Sequence, residues 1–151
     1  MKSEPAVYSI ADLARDQETL WDGVRNYQAR NFLREMQVGD RAFFYHSNTS
    51  PPGIAGLMRI TQSGIDDPSQ FDPQSKYYDA KSTPEQPRWQ TVKVEYVQEF
   101  PEFIPLEALK QTFSPDDLWV VRSGNRLSVM PVPDEIAEKI LVMATAKAVK
   151  L

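Results

Sequence analysis

Apolar positions recur at helical spacing most clearly around the first third of the chain, where Ala29, Phe32, Leu33 and Met36 fall at i, i+3, i+4 and i+7. That spacing predicts an amphipathic helix over Asn26–Met36 with this face buried. The opposite face presents Gln28, Arg30, Asn31 and Arg34 to the outside. Strict alternation marks Trp89–Val97 as a strand, with Val92, Val94 and Tyr96 expected on the core face and Thr91, Lys93 and Glu95 on the other. The aromatic run Arg41–His46 and the segment Gly53–Thr61 read as partner strands, joined by the loop Ser47–Pro52. Gly56 inside the second of these predicts a bulge or a close approach to the backbone.

The remaining pattern is less regular. Ala6–Ile10 alternates like a short strand, and Ser9 looks like the N-cap of a turn of helix through Leu13. Val38-Gly39-Asp40 reads as a tight turn. Gln62–Pro87 is a long polar excursion punctuated by proline, with Phe71, Tyr77 and Tyr78 to pack, and loops of that length in a compact domain are commonly functional. Pro105–Thr112 predicts a short helix begun by proline, Leu118–Val121 a brief apolar element, and Arg126–Val132 a further strand. From Pro133 a terminal helix follows, with Ile136, Ala137, Ile140 and Met143 on one side. There is no internal repeat and no βαβ unit of adequate length. The expected class is α+β, a mixed barrel-like sheet with flanking short helices.

Composition narrows the function more than the fold. A chain of 151 residues without cysteine is long enough for one self-sufficient core, so residues 1–151 are read as a single domain that needs no disulfide and holds no thiolate metal site. No apolar run approaches the ~20 residues of a membrane span, and the first residues lack the apolar stretch of a signal peptide, so a cytoplasmic protein without membrane partners is expected. The net charge of −4 argues against bulk electrostatic coating of nucleic acid. The charge is uneven, however. Trp21–Arg59 carries five basic and three acidic residues, Ile60–Val120 five and eleven, and Val121–Leu151 five and three. The acidity sits in the middle, which leaves room for a local positive face and equally for a protein partner.

Candidate chemistry is sparse. A single histidine, His46, excludes a metal site of several imidazoles, and no Gly-rich phosphate loop occurs, so no cofactor or metal is expected. His46 and Ser47 with Asp40 sketch a nucleophile and base, but neighbours on a strand point to opposite faces. A hydrolase or an enzyme of RNA modification therefore stays an alternative rather than the leading reading. Aromatic rings are better represented. Trp21 stands just ahead of Asp22-Gly23, outside the helical repeat, with Arg25 and Asn26 close by. A ring so placed can stack on a flat ligand while arginine holds a phosphate, the logic of single-base recognition.

Several motifs together carry a family resemblance: Lys2-Ser3-Glu4-Pro5, the run Trp21 to Asn31 (WDGVRNYQARN), Gly39-Asp40, Phe44-Tyr45-His46-Ser47, Gly53-Ile54-Ala55-Gly56, Pro87-Arg88-Trp89 and Arg126-Leu127-Ser128-Val129. The chain resembles the EVE domain, a member of the PUA-like superfamily related to the YTH readers of methylated adenine and including the thymocyte nuclear protein group. The resemblance implies a PUA-like barrel, no catalytic residues, and binding of a modified base, in DNA or RNA, extruded into an aromatic-lined pocket. In such proteins the Lys-Ser-Glu-Pro motif usually follows residues that complete the first strand, whereas only Met1 precedes it here. A shortened strand or an earlier start are the two readings. On this footing the pocket is expected between Trp21 and Trp89, with Asn31, Ser47 and Arg126 at its floor or rim and the amides beside Gly56 reading the base edge. Lys2, Ser3, Arg25, Asn26, Gln28, Arg30, Arg34, His46 and Tyr78 complete the expected nucleic-acid-binding set.

Overall fold

In the computed structural model residues 1–149 are described, with the side chains of 146–149 left out. The last two residues of the domain read from the sequence lie outside the described part. Nine elements follow in order: β1 (Lys2–Ser3), α1 (Ile10–Asp16), β2 (Glu18–Leu20), α2 (Tyr27–Glu35), β3 (Arg41–His46), β4 (Gly53–Asp66), β5 (Gln90–Pro105), α3 (Leu106–Thr112) and α4 (Asp134–Val149), with 3₁₀ turns at Pro68–Phe71 and Trp119–Val121. The strands form one sheet in the order β1-β3-β4-β5-β2, in which only β1 and β3 run parallel.

The α+β class stands, but the sheet is not closed into a barrel, because β1 and β2 are its two edges and do not pair with each other. Repeated register shifts between β4 and β5, at Ile54/Gly56, Leu57/Met58, Ile60/Gln62 and Gln62/Ile65, twist and bend this central pair. Both edges therefore line a single cleft.

Hydrophobic residues divide between the two faces of the sheet. Phe44, Met58, Ile60, Val92 and Val94 pack with Ile10 and Leu13 of α1 and Ala29 and Leu33 of α2. Tyr45, Ile54, Leu57, Phe100 and Ile104 pack with Leu109 of α3 and Ile136, Ile140 and Ala144 of α4. In α2 the expected face is the buried one, with Ala29 and Leu33 inaccessible and Phe32 and Met36 half-buried. Gly56 is a place of close approach: a Cβ there would lie 2.5 Å from the Gln98 carbonyl oxygen and 2.7 Å from Ile10 Cδ1. Glycine thus lets α1 settle on the sheet, so this residue belongs to the core and not to a binding site.

Three local readings need correction. Ala6–Ile10 is not a strand. The Glu4 carbonyl accepts from the amides of Val7 and Tyr8 at 2.9 and 2.8 Å, closing a turn that leaves Val7 65% exposed. Ser9 and Asp12 then form a reciprocal capping box that starts α1. Arg126–Val132 is not a strand either. It is tied to β1 by the Lys2 amide donating to the Ser128 carbonyl at 2.8 Å, while Asn125 caps the Leu127 amide and Pro131 has no N–H to offer a ladder. Thr91, expected outside, is 1% exposed, and its hydroxyl donates to the Trp21 carbonyl. At this point β5 is covered on both faces, which simple alternation does not register.

Both faces can be tested by burying a charge. Val94→Asp and Thr91→Asp are each predicted to destabilise by on the order of 3 kcal/mol, since neither carboxylate finds a partner. Lys93→Asp, on a half-exposed position between them, should cost far less. Urea unfolding of the three variants checks the order; a mild Thr91→Asp contradicts the two-sided burial.

Candidate functional site

Beyond β2 the chain leaves the sheet edge at Trp21, whose amide donates to the Val92 carbonyl at 2.9 Å. Gly23 follows with φ of +85°, and a Cβ there would lie 2.6 Å from Tyr77 Cε2. A glycine is required twice over, by the left-handed backbone and by the ring lying against it. The Gly23 amide donates to Asp67 Oδ2 at 2.8 Å, and Arg25 Nη1 donates to the same oxygen at 3.1 Å. Asp67 Oδ1 accepts from the amide and the hydroxyl of Ser69 at 2.9 and 2.6 Å. Arg25 Nε and Nη2 both reach the Tyr77 carbonyl, at 2.9 and 2.8 Å. The segment after β2 and the long excursion after β4 are thereby fastened together.

A second polar layer supports the first. Gln70, fully buried, donates to the carbonyls of Asp67 and Trp89 and accepts from the amides of Arg88 and Trp89. Trp89 is 6% exposed, donates its indole N–H to Asp79 Oδ2 at 2.8 Å, and stacks on Tyr27 with centroids 4.9 Å apart and planes 14° apart. The Arg25 guanidinium lies 5.1 Å from the Trp89 ring and 5.7 Å from the Tyr77 ring, so cation and rings alternate through this wall.

The cleft between the sheet edges has a volume of about 530 Å³. One side is β1 and the following turn, from Lys2 to Tyr8; the other is Thr19 to Arg25. Ser47, Lys76, Tyr77, Arg126 and Ser128 complete it. Rings of Tyr8 and Tyr77 provide flat surface, backed by the buried Trp21, hydroxyls of Ser3, Ser47 and Ser128 provide small hydrogen-bonding groups, and Lys2, Lys76 and Arg126 provide positive charge. Burial pushes the Lys2 ammonium below its ordinary pKa. Trp21 meets the core edge-on, its centroid 5.5 Å from that of Phe44 at 83°. Among the described residues no group of three or more His, Cys, Asp or Glu is arranged to hold a metal ion.

Six of the residues expected from the sequence come together here: Lys2, Ser3, Trp21, Arg25, Ser47 and Arg126. The others do not. Asn26 caps α2 by accepting from the Ala29 amide at 3.0 Å. Gln28 and Asn31 are exposed on α2, and Asn31 accepts from Arg30, which also holds the Arg88 carbonyl at 2.8 Å. Arg34 donates to Gln90. His46 accepts from the Ile10 amide through Nε2 at 3.1 Å, and burial lowers its pKa. Asp40 accepts from the Gln37 amide at 2.9 Å, so no hydrolytic constellation forms around His46 and Ser47. Tyr78 is 45% exposed and outside the cleft, and the second wall that the sequence assigned to Trp89 is Tyr77. Tyr8, Asp22, Lys76, Tyr77 and Ser128 stand in the cleft without having been among the expected site residues; of these, Asp22 and Ser128 lay within motifs that carried the family resemblance.

Residues 1–143 match the EVE domain. The chain belongs to the EVE domain family. This EVE domain is 43% identical over 159 residues to human thymocyte nuclear protein 1, covering 93% of the chain and 71% of that relative. It superposes on a crystal structure of a Pseudomonas putida protein with a TM-score of 0.92 at 52% identity, over 95% and 97% of the two chains. It superposes with a TM-score of 0.88 at 42% identity, over 95% of each chain, on the human THYN1 protein in complex with 5-methylcytosine containing DNA.

The Asp67 anchor has a pH signature. Burial alone would raise its carboxyl, but hydrogen bonds from Ser69, the Gly23 amide and Arg25 outweigh burial and hold its pKa below the ordinary value. A group depressed in the folded state stabilises fully above its unfolded pKa, about 4, and loses that contribution as pH falls through the folded value. The advantage of the wild type over Asp67→Asn is predicted to be constant near neutrality and to shrink below about pH 4. Melting temperatures of both proteins across pH 2–7 check this; a gap that stays constant would remove the carboxylate from the anchor.

Proposed function

We propose that this EVE domain is a non-catalytic reader of a modified base in DNA, taking an extruded base into the cleft between β1 and the segment after β2. The observation that carries the reading is the cleft itself, where the sheet fails to close and leaves flat rings beside small hydroxyls under a rim of lysine and arginine. Stacking accepts any base, hydrogen bonds along its edge discriminate, and the rim cations hold the flanking phosphates. The 5-methylcytosine-containing DNA bound by the human protein supports DNA with a modified pyrimidine as the ligand class. A protein of net charge −4 is suited to this mode, since local cations suffice when the pocket supplies the rest.

A panel of oligonucleotides identical but for one modified base tests the reading, with affinity measured against the unmodified strand. Tyr77→Ala is predicted to weaken binding by roughly 1–3 kcal/mol for every base that enters, the range for loss of a stacking ring. The carbonyl that Arg25 holds belongs to the backbone and survives this substitution. Lys76→Ala and Arg126→Ala should each lower the salt dependence by about one phosphate contact, with base preference kept. Equal affinity across the panel, or a Tyr77→Ala variant that binds as tightly as the wild type, would count against the cleft.

A further inference from the structure

Asp22 is the residue of the cleft that the electrostatics of phosphate binding do not explain. It stands on the wall between Trp21 and Gly23, facing solvent, in a cleft that also holds Lys2, Lys76 and Arg126. A carboxylate there weakens the hold on a phosphate chain. Nor is it structural: its amide donates to the Leu20 carbonyl at 3.1 Å, and among the described residues its carboxylate closes no salt bridge, the nearby Arg25 being committed to Asp67 at 3.1 Å. By contrast the neighbouring Asp67 is saturated with four donors, and Glu4 at the cleft mouth accepts from Asn48 at 3.3 Å. Asp22 is thus a strong acceptor in reserve beside a stacking surface.

Base chemistry says what such an acceptor fits. An amino-pyrimidine presents an exocyclic N–H₂ donor at C4, whereas its keto counterpart presents an oxygen acceptor at the same place. A carboxylate accepts from the amine and repels the ketone. We infer that Asp22 is the specificity-determining residue of the cleft, accepting a hydrogen bond from the exocyclic amine of a 5-substituted amino-pyrimidine and rejecting the keto analogue. This assignment rests on the base-reading function proposed above. Partial burial and repulsion from Asp67 outweigh the attraction of Arg25 and push the Asp22 pKa up, so a new N–H donor would count for more here than at a fully solvated carboxylate.

5-Methylcytosine and thymine share ring and methyl group and differ at C4 and in the N3 proton, so they make the decisive pair of probes. Single-stranded oligonucleotides carrying one or the other are titrated against the wild type, Asp22→Asn and Asp22→Ala, each with its melting temperature measured. The wild type is expected to prefer 5-methylcytosine by about tenfold or more, the order of discrimination one good base contact gives. In Asp22→Asn, whose amide can donate to the keto oxygen, the ratio is expected to fall to within about threefold, chiefly through tighter thymine binding. Asp22→Ala should lose the ratio through weaker 5-methylcytosine binding, and in both variants the melting temperature and salt slope should stay near wild type. A wild type that binds neither probe overturns the base-reading function and this assignment with it. A wild type that binds both equally, or variants that keep its preference, overturns the assignment of Asp22 alone.

Discussion

The site depends on one buried carboxylate. Asp67 is 1% exposed, and its four hydrogen bonds come from the Gly23 amide, the Arg25 guanidinium and both donors of Ser69. Arg25 passes the constraint on to the Tyr77 carbonyl. Three separate stretches of chain meet there: the turn after β2, the end of β4, and the middle of the excursion before β5. A buried ion pair is poor evidence of net stability, because desolvation offsets much of the Coulomb attraction, but breaking one leaves a charge uncompensated and costs about 3–5 kcal/mol. Its physical effect here is positional. It sets Tyr77 against Gly23, and so fixes the distance between a ring on one segment and a backbone turn on another.

That division explains which parts were legible in the sequence. The α2 face, the paired strands β3 and β4 and the start of β5 follow from local periodicity, and Ala29, Leu33, Val92 and Val94 are buried as that periodicity requires. Misreadings fall where a distant partner decides. Thr91 is polar and alternates outward, yet Trp21, seventy residues earlier, covers it. Val129 is buried within a segment that belongs to no strand and is tied to β1 by the bond from the Lys2 amide to the Ser128 carbonyl. The three-residue β2 is too short to carry any period.

The same reasoning accounts for the exchange of Trp89 for Tyr77 as the second wall. Both rings follow prolines in a polar stretch and look alike in sequence. The difference is made by Asp79 and Gln70, which draw the Trp89 indole and backbone inward, and by Arg25, which holds the Tyr77 backbone at the cleft. Trp89 still belongs to the machinery, since it backs Arg25 from the far side and carries Tyr27 on its outer face. Two of the α2 residues expected to contact nucleic acid take part in this packing: Asn26 caps the helix, and Arg30 lies over Tyr27, 4.7 Å from its centroid, and holds the Arg88 carbonyl.

Closing the sheet would abolish the cleft. Two-residue β1 and three-residue β2 are short edges, and neither has enough hydrogen-bonding length to reach the other. The unmade ladder leaves a gap lined by side chains that a closed barrel would turn inward or outward in strict alternation. Serines, lysines and aromatic rings are therefore brought to one surface although they are scattered along the chain from Lys2 to Ser128. Trp21–Arg59 and Val121–Leu151 each carry five basic and three acidic residues, while none of the eleven acidic residues between Ile60 and Val120 lines the cleft. A net negative protein thus keeps a locally positive rim, and under the base-reading function proposed above bulk repulsion from nucleic acid acts as a filter: a strand without the right base would gain the rim contacts alone, which charge elsewhere on the surface opposes.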